Sequence, residues 1–396
     1  MSKQIILKPN RDESLKRFHP WIFSGAIAKF SQKPDEGETV DILTHDNKFI
    51  ARGHYQTGSI ACRILTFEDE KIDKNFWSKR IFAAYALRQK LGLANNAHTT
   101  AYRLVHGEGD MLPGLIIDIY GETAVMQAHS AGMFFERQII CETLTEIFGN
   151  KITAVYDKSS ATAPFNANAN VVDQYLFGNK NQNEEIILEH GNKFLINWEE
   201  GQKTGFFLDQ RENRKLLQQY THNALVLNTF CYTGGFSVSA FRGGANLVHS
   251  VDSSQKAIEL TQKNIELNFG KNANHQTFAD DTFSFMRNAE DNFYDIIILD
   301  PPAFAKHNSA QKNALQAYKR LNVAALTKIK SKGILFTFSC SQAVDKINFR
   351  NAVFSAAAIS KRNVRILHQL TQPADHPVNI YHPEGEYLKG LVIYVE

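Results

Sequence analysis

The chain has 396 residues, of which 43% are apolar and 21% are charged, a composition typical of a globular protein too long for a single ordinary core. Its net charge of +3 is small, so the charge balance neither requires nor excludes a nucleic-acid partner. No apolar run approaches the roughly 20 residues that span a bilayer, and the N-terminal segment lacks a signal peptide's apolar core, which predicts a cytoplasmic location and no membrane partner.

The first 72 residues are predicted to form a small β-rich domain, residues 1–72. Short strand-forming segments such as "NKFIARGHY" and "SIACRILTF" alternate with turns that contain Gly and Pro. Four cationic and two aromatic side chains lie close together in this part of the sequence: Lys8, Arg11, Lys16, Arg17, Phe18 and Trp21. They indicate either an RNA-docking surface or a basic face above a buried tryptophan, and composition does not decide between the two.

Residues 73–185 are predicted to form an α+β middle domain. Between Lys74 and Leu93, apolar side chains recur at helical spacing among Arg and Lys, which is typical of an amphipathic helix with a solvated basic face. Strand-like and helix-like segments then alternate to about residue 172. The Asn-rich stretch at 164–182 lacks periodicity, and we expect an exposed loop or linker there.

Residues 186–396 are predicted to form a Rossmann-like, doubly wound α/β domain. Five apolar segments with strand character recur along it, with helical composition between several of them: "NALVLNTF", "ANLVHSVD", "HQTFAD", "YDIIILD" and "GILFTFS". This alternation indicates right-handed βαβ units and a parallel sheet covered on both faces. Ligands of such sheets bind at the carboxyl ends of the strands, so the polar residues at those ends are the candidates for function.

Three of these strand ends carry residues suited to a nucleoside cofactor. The first strand runs into "NTFCYTGGFSVSA", in which Gly234 allows a tight turn before a helix. The second ends at Asp252, whose carboxylate can accept hydrogen bonds from the two hydroxyls of a ribose. The third ends at Asp280 and Asp281, where an adenine edge could be recognised.

The fourth strand ends in "ILDPPAFAK", an unusual sequence because proline cannot continue a strand ladder. Pro301 and its neighbour stiffen the loop, so that Asp300 is held at the strand end and a flat group can lie against Phe304. With the glycine turn and the acids, this arrangement is expected for S-adenosylmethionine and a planar nitrogenous substrate. A nicotinamide enzyme would show the fuller glycine fingerprint.

The fifth strand ends at Cys340, which lies between two serines. A cysteine in this position is either a small core residue or a thiol placed for attack. The four cysteines lie far apart, without a CxxC pair or a His-rich cluster, so neither a disulfide nor a metal site is expected. Any cysteine chemistry would be that of a single thiol.

Several long motifs resemble the large-subunit ribosomal RNA methyltransferase I family. In chain order they are "LKRFHPWIFSGAI", "YRLVHGEGDMLPGLIIDIYGE", "GQKTGFFLDQRENR", "NTFCYTGGFSVSA", "VDSSQKAIEL", "LDPPAFAK", "FTFSCSQ" and "ADHPVNIYHPEGEYLKG". The resemblance implies a C-terminal class I methyltransferase domain, an N-terminal PUA RNA-binding domain and S-adenosylmethionine as cofactor. It also implies that the product is 5-methylcytosine in 23S ribosomal RNA, with naked RNA or a large-subunit precursor particle as substrate.

Methylation at carbon 5 of cytosine needs an enzyme nucleophile, because that carbon is itself a poor one. A thiolate that adds to carbon 6 raises the electron density at carbon 5, which can then take up the methyl group. On this resemblance Cys340 is the expected nucleophile and Asp300 polarises ring nitrogen 3. Cys231, the rival thiol, is expected to line the cofactor site or to pack, and the base that removes the proton from carbon 5 is not assigned.

The resemblance also implies which further residues bind the cofactor and the substrate. The expected cofactor residues are Asn228, Phe230, Tyr232, Gly234, Asp252, Asp280 and Asp281. The expected substrate residues are Pro301, Phe304 and Lys203. Lys203 either meets a phosphate or is a solvated hairpin lysine.

Two other functions stay open on the sequence alone. A guanine methyltransferase that acts at N7 or N2 needs no thiol adduct, so Cys340 distinguishes that product from 5-methylcytosine. A non-catalytic RNA-binding protein with a relic fold would not bind S-adenosylmethionine. The oligomeric state is equally open, with a homodimer as one option.

Overall fold

The computed structural model describes residues 2–164, 171–179, 184–305 and 307–396. Its internal contacts divide the chain into two compact units. The first comprises Met1–Ile187, Ile196–Phe206 and Ala374–Gly385, and the second comprises Leu188–Leu195, Phe207–Pro373 and Glu386–Glu396. The three-domain division at 1–72, 73–185 and 186–396 stays a prediction.

The first unit begins with a six-stranded sheet, as its alternation of short strands and turns predicts. Its strands are β1 Gln4–Leu7, β2 Trp21–Phe23, β3 Ile27–Phe30, β4 Thr39–Leu43, β5 Phe49–Tyr55 and β6 Ile60–Thr66, and a short helix, α1 Glu13–Lys16, follows β1. The strand order is β2-β6-β5-β4-β1-β3, and only the β1–β4 pair is parallel among these strands. Ile5, Val40, Ile42 and Cys62 are fully buried and form the centre of its core.

A second sheet in the first unit packs against helices. Its order is β11-β10-β9-β8-β7, and the elements are α2 Lys74–Lys90, β7 Ala101–His106, β8 Leu115–Tyr120, β9 Thr123–Ala128, α3 Ala131–Phe135, α4 Arg137–Phe148, β10 Ala154–Asp157 and β11 Gln174–Phe177. The predicted helix after residue 73 is confirmed. Asp73 caps it by accepting hydrogen bonds from the amides of Asn75 and Phe76, and Trp77 and Ile81 are fully buried in the core that the helices share with the sheet.

The Asn-rich stretch is not entirely a loop, so that prediction is wrong for part of its length. Strand β11 lies within it and pairs antiparallel with β10. The ring of Tyr175 packs 4.9 Å from that of Tyr156, and Trp198 Nε1 donates to the Tyr175 hydroxyl at 3.2 Å. These partners are distant in sequence, so local composition could not reveal the strand. Residues 165–170 and 180–183 of this region lie outside the described residues.

Arg88 fixes the late segment Ala374–Gly385 within the first unit. Its fully buried guanidinium forms a bidentate pair with Asp110, in which Nη2 lies 2.7 Å from Oδ2. The same Nη2 donates to the carbonyl oxygen of Asp375 at 2.8 Å. The amide of Arg103 donates to Asp375 Oδ2 at 3.0 Å. Asp375 therefore supplies an acceptor both to the buried guanidinium of Arg88 and to a backbone amide of β7.

A hairpin precedes the large sheet of the second unit. The hairpin strands are β12 Glu184–Glu189 and β13 Asn192–Asn197. The sheet strands are β14 Leu225–Thr229, β15 Leu247–Asp252, β16 His275–Ala279, β17 Tyr294–Leu299, β18 Ile329–Ser339, β19 Val364–Leu370 and β20 Lys389–Val395, and the helices are α5 Arg211–Leu217, α6 Gly235–Arg242, α7 Gln255–Phe269, α8 Thr282–Asn288, α9 Gln311–Lys328 and α10 Lys346–Ile359.

The second unit has the predicted doubly wound architecture. The strand order is β16-β15-β14-β17-β18-β20-β19, and the five predicted strands, β14 to β18, are mutually parallel. Separate apolar clusters cover the two faces of the sheet, as expected for parallel strands buried on both sides. Strand β20 pairs antiparallel with both β18 and β19, a feature that the alternation did not predict. No helix in the described part of the chain is both long and apolar enough to cross a membrane.

Candidate active site

Four strand ends meet at one edge of the seven-stranded sheet. Strands β15, β14, β17 and β18 are consecutive parallel neighbours, so their carboxyl ends lie side by side. Those ends are Asp252, Thr229, Leu299 and Ser339. The predicted cofactor residues follow the first two strands, and the predicted catalytic residues Asp300 and Cys340 follow the last two.

The glycine turn, residues 230–234, joins β14 to α6 in a backbone conformation that is uncommon for residues other than glycine. The φ angles of Phe230, Tyr232 and Gly234 are 53°, 48° and 78°. A Cβ on Gly234 would lie 2.7 Å from Thr261 Cγ2, so this position has neither the conformation nor the space for another residue. The amide of Gly234 donates to the carbonyl of Cys231 at 2.8 Å and closes the turn.

Asp252 is held against the glycine turn by two backbone amides. Its Oδ2 accepts from the amide of Tyr232 at 3.0 Å, and its Oδ1 accepts from the amide of Ser254 at 2.9 Å. The Tyr232 ring packs on that of Phe207, with centroids 5.0 Å apart. The half-buried carboxylate is therefore fixed at the end of β15, as the ribose-binding prediction requires.

The two acids after β16 differ in their surroundings. The amide of Asp280 donates to the carbonyl of Asp252 at 3.1 Å, which brings Asp280 beside the predicted ribose acid. Asp281 accepts at Oδ1 from the amide of Ser284 at 3.0 Å and so caps α8. The capping role of Asp281 was not predicted, and the cofactor role of both acids stays a prediction.

Asn228 lies inside the protein at the end of β14, with 1% of its surface exposed. Its Nδ2 donates to Ser237 Oγ on α6 at 2.8 Å. Among the described residues its buried Oδ1 has no hydrogen-bond partner. Buried acceptors are nearly always paired in folded proteins, so an unpaired one beside the glycine turn fits a region that receives a polar ligand.

Cys231 is a packed cysteine. Its Sγ lies 3.6 Å from Thr261 Oγ1, only 5% of the residue is exposed, and burial raises the pKa of its thiol to about 12. A thiol with this pKa is almost entirely protonated at neutral pH and is a poor nucleophile.

The Asp-Pro-Pro loop after β17 is positioned by a residue that the sequence analysis missed. Gln210 donates from Nε2 to Asp300 Oδ1 at 3.0 Å, and its own Oε1 accepts from Asn213 Nδ2 at 2.6 Å. Pro301 is buried, while the half-buried ring of Phe304 packs 4.7 Å from that of Tyr318. Phe304 therefore has a protein partner on one side, and its predicted contact with a flat substrate stays a prediction.

Cys340 lines a pocket at the end of β18 and also packs against one of the two apolar clusters of the sheet. It is half-buried, and its thiol lies 3.8 Å from the carbonyl oxygen of Pro301. The thiol pocket, of about 230 Å³, is lined by Ala303, Ala305, Cys340, Gln342 and Tyr387. The predicted nucleophile and the Asp-Pro-Pro loop are thus in direct contact.

Lys389, which the sequence analysis quoted only within a family motif, lies next to this cysteine. It is the first residue of β20 and pairs with Ser339 on β18. Its Nζ donates to the carbonyl oxygen of Ser341 at 2.6 Å, and the residue is only 6% exposed. Burial lowers the pKa of Lys389 to about 8, an effect that the nearby Cys340 opposes.

Lys203 belongs to the first unit. It lies on an exposed turn with a φ of 52°. Its neighbour Thr204 is buried and donates to Asp118 Oδ2 at 2.6 Å. Both roles of Lys203 stay predictions. Within the described ranges no group of three or more His, Cys, Asp or Glu side chains is arranged to hold a metal ion.

Comparison with protein-family models identifies two matching regions. A PUA-like domain matches residues 5–67, and an S-adenosylmethionine-dependent methyltransferase matches residues 138–377. The ribosomal RNA large subunit methyltransferase I of Shigella dysenteriae serotype 1 is 39% identical over 100% of this chain and 99% of its own length. The protein of the same name from Escherichia coli O139:H28 is 38% identical over 100% of both chains.

Two solved structures share the fold over nearly the full length. A Streptococcus mutans protein, assigned as an S-adenosylmethionine-dependent methyltransferase, has a TM-score of 0.84 at 24% identity, with 99% of this chain and 100% of that chain covered. A second methyltransferase structure, solved in complex with SAH, has a TM-score of 0.85 at the same identity and coverage. At this identity the likeness shows a shared fold.

Proposed function

The chain belongs to the ribosomal RNA large subunit methyltransferase I family, and on that premise we propose that this S-adenosylmethionine-dependent ribosomal RNA methyltransferase forms 5-methylcytosine through a covalent adduct of Cys340. The proposed substrate is 23S ribosomal RNA, free or within a large-subunit precursor. A cytoplasmic location and a homodimer also stay predictions.

The observation that most strongly favours 5-methylcytosine as the product is the difference in surroundings between the two thiols near the sheet edge. Cys340 is half-buried and lines a pocket beside the Asp-Pro-Pro loop. Cys231 is enclosed and has a raised pKa. Methylation of a guanine nitrogen would require no thiol in the pocket, whereas methylation at carbon 5 of cytosine requires one thiol that can reach a planar base.

The residues of the glycine turn would hold the cofactor. Asp252 offers a fixed carboxylate to ribose hydroxyls, Asp280 lies beside it, and Gly234 lets a ligand approach the backbone. Asn228 contributes a buried Oδ1 acceptor that has no hydrogen-bond partner among the described residues. When bound, S-adenosylmethionine supplies an electrophilic methyl group.

The thiol pocket would carry out the covalent steps. The Cys340 thiolate forms a carbon–sulfur bond to carbon 6, the electrons of the 5,6 double bond move to carbon 5, and a proton shared between Asp300 and nitrogen 3 neutralises the ring. Carbon 5 would take up the methyl group, with the electrons of the broken sulfur–methyl bond left on the cofactor sulfur. It would then lose its proton to a base while nitrogen 3 returns its proton to Asp300. The electrons of that carbon–hydrogen bond restore the double bond as the carbon–sulfur bond breaks, which returns the thiolate. Gln210 fixes the Asp300 carboxylate for this purpose.

The test is to trap the adduct. Ribosomal RNA is transcribed in vitro with 5-fluorocytidine in place of cytidine, so that carbon 5 carries a fluorine, which a base cannot remove as it removes a proton. This RNA is incubated with the protein and S-adenosylmethionine. We expect a covalent RNA–protein species that maps by mass spectrometry to the peptide with Cys340. Cys340→Ala should give no adduct, and Cys231→Ala should give as much as the unchanged protein.

Two outcomes would overturn the proposal. A methylated guanine in the product, formed equally well by Cys340→Ala, would assign the enzyme to N7 or N2 methylation. Failure of the folded protein to bind S-adenosylmethionine in a calorimeter would indicate a non-catalytic RNA-binding protein.

A further inference from the structure

Lys389 is a buried cation at the start of β20. Only 6% of the residue is exposed, and no carboxylate in the described part of the chain lies within ion-pair distance of its Nζ. Burying a charge without a counter-charge destabilises the folded state. A lysine kept in such a position is therefore a candidate for a functional role.

The backbone on both sides of Cys340 is in contact with Lys389. Register pairs Lys389 with Ser339, and Nζ donates to the carbonyl of Ser341 at 2.6 Å. The Ser341 hydroxyl in turn contacts the hydroxyl of Tyr318 at 2.9 Å and accepts from the amide of Ala305 at 3.3 Å. The cysteine thus lies on a short segment that Lys389 anchors from one side.

The other charged groups near Lys389 are occupied elsewhere. They are Asp345 and Lys346 at the start of α10, and Glu386 just before β20. Asp345 caps α10 through the amide of Asn348 at 2.7 Å, and Glu386 pairs with Lys346. Among the described residues, Cys340 is the other group near Lys389 that can carry a negative charge, and the phenol of Tyr318 also lies close enough to the thiol to feel its charge.

We propose that Lys389 is a positioning residue for the nucleophile: its ammonium favours the thiolate form of Cys340 and, through the Ser341 carbonyl, fixes the direction in which the sulfur points. An ammonium has three N–H donors, and the bond to Ser341 uses one of them. The inference rests on the proposed function of Cys340.

The test measures thiolate formation without RNA or methyl transfer. Iodoacetamide reacts with the thiolate and not with the thiol, so the rate of Cys340 alkylation is followed by peptide mass spectrometry between pH 6 and 10. Loss of an opposite charge within a few ångströms raises a thiol pKa by about 1 unit or more, and we expect the midpoint to shift upward by that amount in Lys389→Met. Lys389→Arg, which keeps the charge, should largely restore the profile.

Two controls make the result specific. Lys346→Met removes a more exposed cation from the same neighbourhood, whose side chain is 52% exposed, and should leave the midpoint unchanged. The buried thiols of Cys62, Cys141 and Cys231 should stay unreactive in every variant, which shows that the fold is intact.

The outcomes separate this inference from the proposed function. An unchanged midpoint in Lys389→Met, with Cys340→Ala inactive, would overturn the role of Lys389 alone. Full methyl transfer by Cys340→Ala would overturn the proposed function whatever the alkylation profile. If the acid-side midpoint of the activity–pH profile shifts to higher pH in Lys389→Met together with the alkylation midpoint, both proposals are supported.

Discussion

The glycine turn and the thiol pocket lie along the same edge of one sheet, yet they are built on opposite principles. In the glycine turn the polar groups bond to one another, as Asp252 does with two amides, and the cysteine is enclosed. In the thiol pocket Cys340 is partly exposed, and beside it lies a buried lysine that forms no ion pair with a carboxylate of the described residues. The first arrangement favours a fixed binding surface, and the second favours reactivity. Burial and neighbouring charge, more than position at a strand end, distinguish the two cysteines.

The largest expected effect comes from exchanging the two thiols for alanine. Cys340→Ala should lower methyl transfer by more than about 1,000-fold, because a covalent mechanism has no route without its nucleophile. Cys231→Ala should retain most of the activity, since that thiol only packs. Transfer of labelled methyl groups to ribosomal RNA measures both. Equal losses in the two variants would remove the distinction between the glycine turn and the thiol pocket.

A smaller effect is expected for the two acids near the glycine turn, Asp252 and Asp281. Asp252→Asn loses a charged acceptor and should weaken the binding of S-adenosylmethionine by about 10-fold or more. Asp281→Asn is the matched control, because asparagine caps a helix about as well as aspartate, and the capping bond accounts for this residue without a ligand. Isothermal calorimetry gives both affinities. An equal loss in Asp281→Asn would support its predicted cofactor role.

The smallest effect concerns the stability of the glycine turn. Gly234→Ala and Gly191→Ala both put alanine at a φ of 78°, which costs about 1 kcal/mol in each case. Only Gly234 also lacks space, because its Cβ would meet Thr261, whereas nothing lies within 4 Å of a Cβ on Gly191. We expect Gly234→Ala to lower the free energy of unfolding by about 1 kcal/mol more than Gly191→Ala.

That excess is measured by urea denaturation of the two variants under the same conditions. If both lose the same stability, the turn can yield around Thr261 and is less rigid than its hydrogen bonds indicate.

The parts of the fold and site that depend on local pattern could be predicted from the sequence. Apolar runs fixed the positions of β14 to β18, and the order of a parallel sheet then brought Asp300 and Cys340 to one edge, where their loops make contact. The same reasoning located Asp252 beside the glycine turn, since both lie at neighbouring strand ends.

The parts that depend on distant pairing could not be predicted. Lys389 reaches Ser341 from 48 positions away because β20 turns back antiparallel to β18, and Gln210 reaches Asp300 across 90 positions. No periodicity in the sequence encodes such a pairing. Likewise, the sequence left open whether Cys231 lines the cofactor site or packs, because its partner Thr261 lies on α7, 30 positions away.

The bond between Arg88 and Asp375 also has a consequence for the order in which the protein folds while it is being synthesised. The first unit contains a segment that is synthesised 287 residues after Arg88. Until that segment leaves the exit tunnel, the Arg88 Nη2 lacks its Asp375 acceptor, and the Arg103 amide also lacks its acceptor. The N-terminal half of the chain therefore cannot complete its native contacts as it emerges. It must wait for almost the whole protein, including the catalytic sheet, to be translated.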